Sequence, residues 1–211
     1  MGTITKGILG GFSGTVGTVI GGTWKGIDYM RSQPAKRSGS FTQAQLDQQV
    51  KFALVVKFLQ SMTAFVMLSF RNFAIQMTGF NSAMSYNLKN AVTGIYPDYT
   101  LDYSMVLVSR GDLPNATAPA ASTAGSNVTF TWTNNAGMGK ALATDKAMLV
   151  VYCEDYNMCI YTTGSAARSA GTDLLDVSTF SGKTVQTYIG FISEDGKDVA
   201  GSIYTGPLTI A

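Results

Sequence analysis

Hydrophobic and polar positions follow three different rhythms along this chain. Over residues 1–33 the apolar positions Val16, Val19, Ile20 and Trp24 alternate loosely, interrupted by Gly14, Gly17, Gly21, Gly22 and Gly26. The pattern predicts short strands near 15–20 and 27–31, with room for a third between them. Gly21-Gly22 and Lys25-Gly26 suit two-residue hairpin turns, because glycine tolerates the positive φ such turns require. Nine of the first 26 residues are glycine, and each glycine weakens strand packing. A ribbon of this kind needs something to lie against, either its own core or a neighbouring subunit.

The second rhythm is helical. Pro34 to Ser40 is a polar break, and Ser40 or Thr42, each with a glutamine three residues on (Gln43, Gln45), forms a capping-box pattern. A helix is predicted from about 42 to 77. Val50, Leu54, Phe58, Phe65 and Leu68 make its apolar stripe, and Lys57, Gln60, Ser61 and Arg71 its other side. Unbroken, it would be roughly 50 Å long, so it is expected to kink or to reach beyond its domain. Its centre, 52–70, has the length of a membrane span. Lys57, Gln60, Ser61 and Thr63 cluster on one side of it, which favours a buried helix and makes a membrane partner unexpected. A second helix at about 82–93 follows Asn81 or Ser82 as cap and stops at Gly94.

From residue 101 the rhythm shortens. Seven β-like runs, at 101–108, 127–133, 146–153, 158–163, 172–178, 183–192 and 199–210, are separated by Gly, Asn, Asp and Pro. In the second, Val128, Phe130 and Trp132 alternate with Asn127, Thr129, Thr131 and Thr133, as in a half-buried strand. Seven short strands in such a stretch predict a β-sandwich. The fold class is therefore α+β, in three parts: a Gly-rich basic β arm at 1–40, a helical segment at 41–94, and a sandwich at 95–211 expected to fold alone.

Residues 101–211 resemble a fibronectin type III sandwich, within the wider Ig-like class, with Trp132 in the second strand and Tyr188 in the sixth at its core-aromatic positions. The whole chain also resembles an uncharacterised family from Bacteroidota and their mobile elements. The residues that carry this likeness are Trp24-Lys25-Gly26, Arg31-Ser32-Gln33-Pro34, the glutamines Gln43, Gln45 and Gln48, and the C-terminal sandwich. That resemblance implies an architecture and no established activity.

Charge sharpens the picture. Charged residues are only 13% of the chain, about half the usual share, which fits a protein that buries surface against copies of itself and equally a well-packed β domain. Residues 1–90 hold nine Lys/Arg against Asp28 and Asp47, a formal +7, while residues 91–211 come to −5. A basic half joined to an acidic half reads as ordinary solvated surface charge, or as the mark of a polyanionic partner or of head-to-tail contact between copies. Lys6 is followed by Gly-rich sequence and no small-residue cleavage site, so no signal peptide is read. The expected location is the cytoplasm or an assembled particle such as a virion.

Candidate chemistry is sparse. The chain has no histidine, which removes the commonest general base, the Ser-His and Cys-His pairs, and most catalytic zinc sites. Cys153 and Cys159 flank a turn at 154–158 and are expected to be packed small residues, with a disulfide as the alternative. Glu154, Asp155, Glu194, Asp195 and Asp198 read as turn residues rather than a calcium loop. Neither phosphate-cradling glycine motif is present. The expectation is a protein that is not an enzyme and takes no cofactor, metal or small-molecule substrate. The candidate binding residues are Trp24, Lys25, Tyr29, Arg31, Lys36 and Arg37. Their cations and aromatic rings suit docking between copies in a homo-oligomer, or stacking and phosphate contact with single-stranded nucleic acid. The favoured role is a self-assembling structural subunit of a phage or phage-derived particle or filament. A nucleic-acid-binding protein comes second and a surface adhesion module third.

Overall fold

The computed structural model describes residues 2–4, 10–24, 26–35 and 39–211, and divides after Thr42 into two compact units. The first is one antiparallel sheet in sequential order, β1 (Thr3–Ile4), β2 (Phe12–Val16), β3 (Val19–Trp24) and β4 (Ile27–Ser32). Two expectations about it change: residues 15–20 are not one strand, and Gly21-Gly22 is not a turn. The β2–β3 turn falls at Gly17, whose φ is +58°, while Gly21 and Gly22 lie inside β3. Trp24 pairs with Ile27 across a two-residue turn that ends in Gly26, φ +81°, as expected. The inner glycines serve close approach instead. A Cβ on Gly21 would run into the Phe12 carbonyl and ring, and one on Gly22 would lie 3.0 Å from the Tyr29 hydroxyl. Each bare glycine accommodates an aromatic ring of the neighbouring strand.

In the second unit the helix expected over 42–77 breaks. It becomes α1 (Gln43–Gln60) and α2 (Thr63–Ser69), bent by 91°, followed by a 3-10 turn at Arg71–Phe73. Side chains explain the break: the Ser61 hydroxyl donates to the Phe58 carbonyl at 2.7 Å and the Thr63 hydroxyl to the Gln60 carbonyl at 3.1 Å. Such local bonds compete with the helical ladder, and the Ser61 and Met62 amides turn to carbonyls only three residues back. Of the expected stripe Phe58 and Phe65 are buried, joined by Val55, Leu59, Met62, Val66 and Phe70. No single helix is long and apolar enough to cross a membrane among the described residues. Helix α3 (Gly79–Asn90) starts earlier than expected, because Thr78 caps it by accepting from the Asn81 amide at 3.1 Å.

Residues 101–108 are not a sandwich strand. β5 (Val92–Ile95) and β6 (Asp98–Leu101) form a hairpin, and the chain beyond is held by side chains. Buried Asn87 exchanges hydrogen bonds with the Leu107 backbone, the Ser69 hydroxyl donates to the Val108 carbonyl, and the Ser109 hydroxyl donates to Ala200. These satisfy backbone groups that a ladder would otherwise pair. In its place stands β7 (Thr117–Ala124), an edge strand of Ala, Thr and Ser whose register shifts around Ala118 and Pro119. Little in that composition signals a strand.

β7 pairs with β8 (Asn127–Thr133), and β8 with β11 (Thr172–Asp176). The second sheet runs β10 (Met158–Tyr161), β9 (Lys146–Cys153), β12 (Thr184–Ile192), β13 (Ile203–Thr209). Val128, Phe130 and Trp132 share a buried cluster with Ala147, Leu149, Val151, Cys153, Val185, Ile189 and Phe191, so the two sheets pack face to face. The intervening side chains of β9, Met148, Val150 and Tyr152, join Tyr188 and Ile192 against Val55, Phe58, Leu59, Phe65 and Val66 of the helices. The four-stranded sheet is thus covered on both faces, by helices on one side and strands on the other. Two consequences correct the sequence reading. Tyr188 packs in the helix-facing layer, not between the sheets, with its hydroxyl donating to the Tyr103 carbonyl at 2.9 Å. Helices and strands share a core, so no packing boundary falls near residue 95.

That layer is rich in phenols. Burial pushes the Tyr103, Tyr152 and Tyr188 hydroxyls far above the ordinary value of 10, and Glu154 adds to the first two. The folded state therefore holds these protons more tightly than the unfolded chain. The stability they contribute is intact below pH 10 and falls as pH rises beyond it. In an alkaline titration their phenolate absorbance should appear together with the loss of far-ultraviolet circular dichroism. Smooth ionisation of all tyrosines with the dichroism intact would show that this layer is open to water.

Candidate assembly surface

The described part of the first unit has almost no interior. Among its described residues only Gly21 is buried. Met30 is 72% exposed, Ile27 59%, Ile4 and Val16 54% and Trp24 51%. The ladder sorts these side chains. Trp24 pairs with Ile27, Gly22 with Tyr29 and Ile20 with Arg31, so Ile20, Trp24, Ile27, Tyr29 and Arg31 stand on one face. Phe12, Val16, Val19, Asp28 and Met30 stand on the other, where Thr23 donates to Asp28 at 2.5 Å. Apolar groups thus project from both faces of the sheet. A sheet normally needs a packed apolar face to be stable, and contiguous exposed apolar surface marks an interaction site.

Of the six residues expected to bind, Trp24, Tyr29 and Arg31 share one face. Lys25, Lys36 and Arg37 lie outside the described residues. Residues 1–42 carry Lys6, Lys25, Arg31, Lys36 and Arg37 against Asp28, a formal +4, so the unit is basic in composition. The sequence reading passed over Ile27 and Met30. Their signal was present in the alternation of Ile27-Tyr29-Arg31 with Asp28-Met30-Ser32, which puts an apolar and a charged residue on each face. Chemically the surface offers burial, ring stacking and one exposed guanidinium, which suits non-covalent docking.

The remaining candidates settle into structural places. Cys153 lies opposite Met158 and Cys159 opposite Tyr152. Both thiols are free, and they belong to the two opposite layers. Burial pushes the Cys159 thiol up, out of the reactive range. Asp195 accepts from the Ser193 hydroxyl and the Lys197 amide, which hold its carboxyl below the usual range, and Asp155 pairs with Lys183 at 2.9 Å. Among the described residues no three Cys, Asp or Glu converge in a way that could hold a metal ion.

The strongest polar constellation was not legible in the sequence. Arg168 and Asp145, both fully buried, form an ion pair at 3.1 Å. The guanidinium also donates to Asn135 and to the Pro114 carbonyl, each at 2.8 Å, and lies 4.2 Å from the centre of the Phe191 ring. The Arg168 carbonyl accepts from the Trp132 indole at 2.8 Å. This network ties the loops at 114, 135, 145 and 168 to one point at the end of the sheets. It is a structural keystone: each guanidinium nitrogen is bonded within the protein.

No curated protein and no solved structure matches the chain. A family profile does, over residues 11–206, from just before β2 into the last strand: the chain belongs to DUF6266, a family of unknown function.

Proposed function

We propose that this chain is a non-enzymatic structural subunit that self-associates through its glycine-rich, basic arm, in a phage or phage-derived particle or filament. One observation carries the reading: a four-stranded sheet with apolar side chains exposed on both faces and, among the described residues of its own unit, no core. A second copy is the natural cover, because low overall charge and a basic arm beside an acidic remainder favour contact of one copy with another. The particle context draws on the resemblance to a mobile-element family. In the second unit, the order β7-β8-β11 facing β10-β9-β12-β13 supports reading the sandwich as fibronectin type III or Ig-like. Such a domain would serve as the rigid body that the arm links. The same domain type underlies the third reading, a surface adhesion module.

A nucleic-acid-binding protein is the second reading, favoured by one observation: Trp24, Tyr29 and Arg31 on a single face. Rings for base stacking beside a cation for phosphate are the elements of single-strand binding. Light scattering of the native protein, with and without nuclease, separates the two. For assembly, deletion of residues 1–37 should reduce the particle to a folded monomer. Reversal of Arg31, Lys36 and Arg37 to Glu should weaken it, and so should salt, since exposed charges are screened over about 10 Å at 0.1 M. For nucleic acid, the same reversal leaves the mass unchanged and abolishes retention of single strands, which falls steeply with salt. A full-length chain that is monomeric and retains no nucleic acid refutes both.

A further inference from the structure

The outer edge of β4 carries the detail that the proposed assembly leaves open. The Gln33 amide donates to the Thr18 carbonyl at 2.7 Å, so the Thr18–Gln33 rung is a hydrogen-bonded one. Rungs alternate in an antiparallel ladder. Arg31, Tyr29 and Ile27 therefore turn their backbone groups toward β3, and Ser32, Met30 and Asp28 turn theirs away. β4 is the last strand of its sheet, all six of its residues are exposed, and no strand among the described residues pairs with that edge. Natural edge strands are protected by proline, by charge, by a bulge or by a covering element. β4, with sequence IDYMRS, has neither proline nor lysine, and its two charges, Asp28 and Arg31, are of opposite sign.

Resting on the self-assembly reading, we infer that β4 pairs antiparallel with β4 of a second copy about a two-fold axis through Met30, joining two four-stranded sheets into one. The register follows from the residues. With Met30 opposite its own copy, Asp28 faces Ser32 and Ser32 faces Asp28. All three outward-facing residues of each strand are then hydrogen-bonded, and no other register achieves this. On one face the Ser32 hydroxyl can donate to the Asp28 carboxylate. On the other, Tyr29 stands opposite Arg31, a ring against a guanidinium. Neighbouring registers are worse. Moving the axis to Arg31 opposes two guanidiniums, and moving it to Asp28 opposes two carboxylates. Moving it to Tyr29 leaves Ser32 facing Gly26 in the turn. The two charges of β4 and the turn at Gly26 thus disfavour the neighbouring registers while allowing the self-complementary one. Closure by a two-fold also leaves the apolar faces free to bind further copies.

Two sets of variants of the full chain test this. Met30→Pro removes an amide that β3 does not use, and proline is tolerated on edge strands. It should therefore spare the fold, seen by circular dichroism, and lower the native mass at least twofold. Met30→Cys keeps the amide. In a Cys159→Ser background it should form a covalent dimer on mild oxidation, since hydrogen-bonded partners lie about 5.5 Å apart, within disulfide reach. Asp28→Cys should not cross-link alone, its copy being about 13 Å away at 3.3–3.4 Å per residue. Combined with Ser32→Cys it should. If the chain assembles but Met30→Pro keeps its full mass and Met30→Cys stays uncrosslinked, strand pairing is wrong and assembly through the faces stands. Equal cross-linking by Asp28→Cys overturns the register. A monomeric wild-type chain overturns both the pairing and the assembly reading.

Discussion

Arg168→Met should destabilise the second unit by about 3–5 kcal/mol, the usual cost of leaving one partner of a buried ion pair uncompensated. For a unit of this size the melting temperature should fall on the order of 10 °C. Asp145 would be left as a fully buried carboxylate. Its Oδ1 already lacks a hydrogen-bond partner, and its Oδ2 would keep the Leu142 amide at 2.9 Å while losing both guanidinium contacts. Burial disfavours the guanidinium's charge, and Asp145 is what supports it, so Asp145→Leu alone should cost a similar amount. The double variant, Arg168→Met with Asp145→Leu, should recover much of the loss, because no charge is then left buried. Thermal melts of the three proteins check this. Single variants within 1 kcal/mol of the parent would show that water reaches the pair.

Residues 95–211 expressed alone should fail to form a stable monomer, whereas residues 43–211 should melt cooperatively. The shorter fragment keeps the layer between the sheets, with Phe130, Trp132 and Phe191, but strips the helices from the other face. Met148, Val150, Tyr152 and Tyr188 would meet water, at about 1.5–3 kcal/mol for each large apolar side chain. Together these losses rival the whole net stability of a domain, about 5–15 kcal/mol. The fragment should bind a hydrophobic dye and aggregate, with strand-like circular dichroism but no sharp transition. A monomeric fragment with a cooperative melt would show that the sandwich is independent of the helices, as its alternation taken alone suggests.

That contrast marks how far the sequence reaches. Local rhythm sufficed for β8 and β9, whose predicted bounds, 127–133 and 146–153, match the structure. Their periodicities also differed in kind. β8 alternates, while 147–153 is apolar throughout, the pattern of a strand buried on both sides. What covers its second side is a long-range fact. No spacing within KAMLVVYC shows that Phe58 and Phe65 lie against it. The same limit placed Tyr188 between the sheets when it faces the helices. β7 was missed because an edge strand of Ala, Thr and Pro is stabilised by its partner β8 rather than by propensity. The segment 101–108 was overread because its backbone is satisfied by Asn87, Ser69 and Ser202, which are distant in the chain.

The candidate surface divides in the same way. Glycine count, the Trp24–Gly26 turn and the cluster of cations were legible from composition and adjacency, and they marked the arm as needing a partner. Which side chains share a face depends on strand register, and only the ladder placed Trp24, Tyr29 and Arg31 together and turned Met30 to the opposite side. The Arg168–Asp145 pair, 23 positions apart, has no local signature at all. Sequence by itself determined where the chain can turn, which segments can bury a face, and where charge accumulates, because those follow from each residue and its near neighbours. Tertiary structure decided which faces meet, since burial and pairing are properties of segments brought together from far apart in the chain.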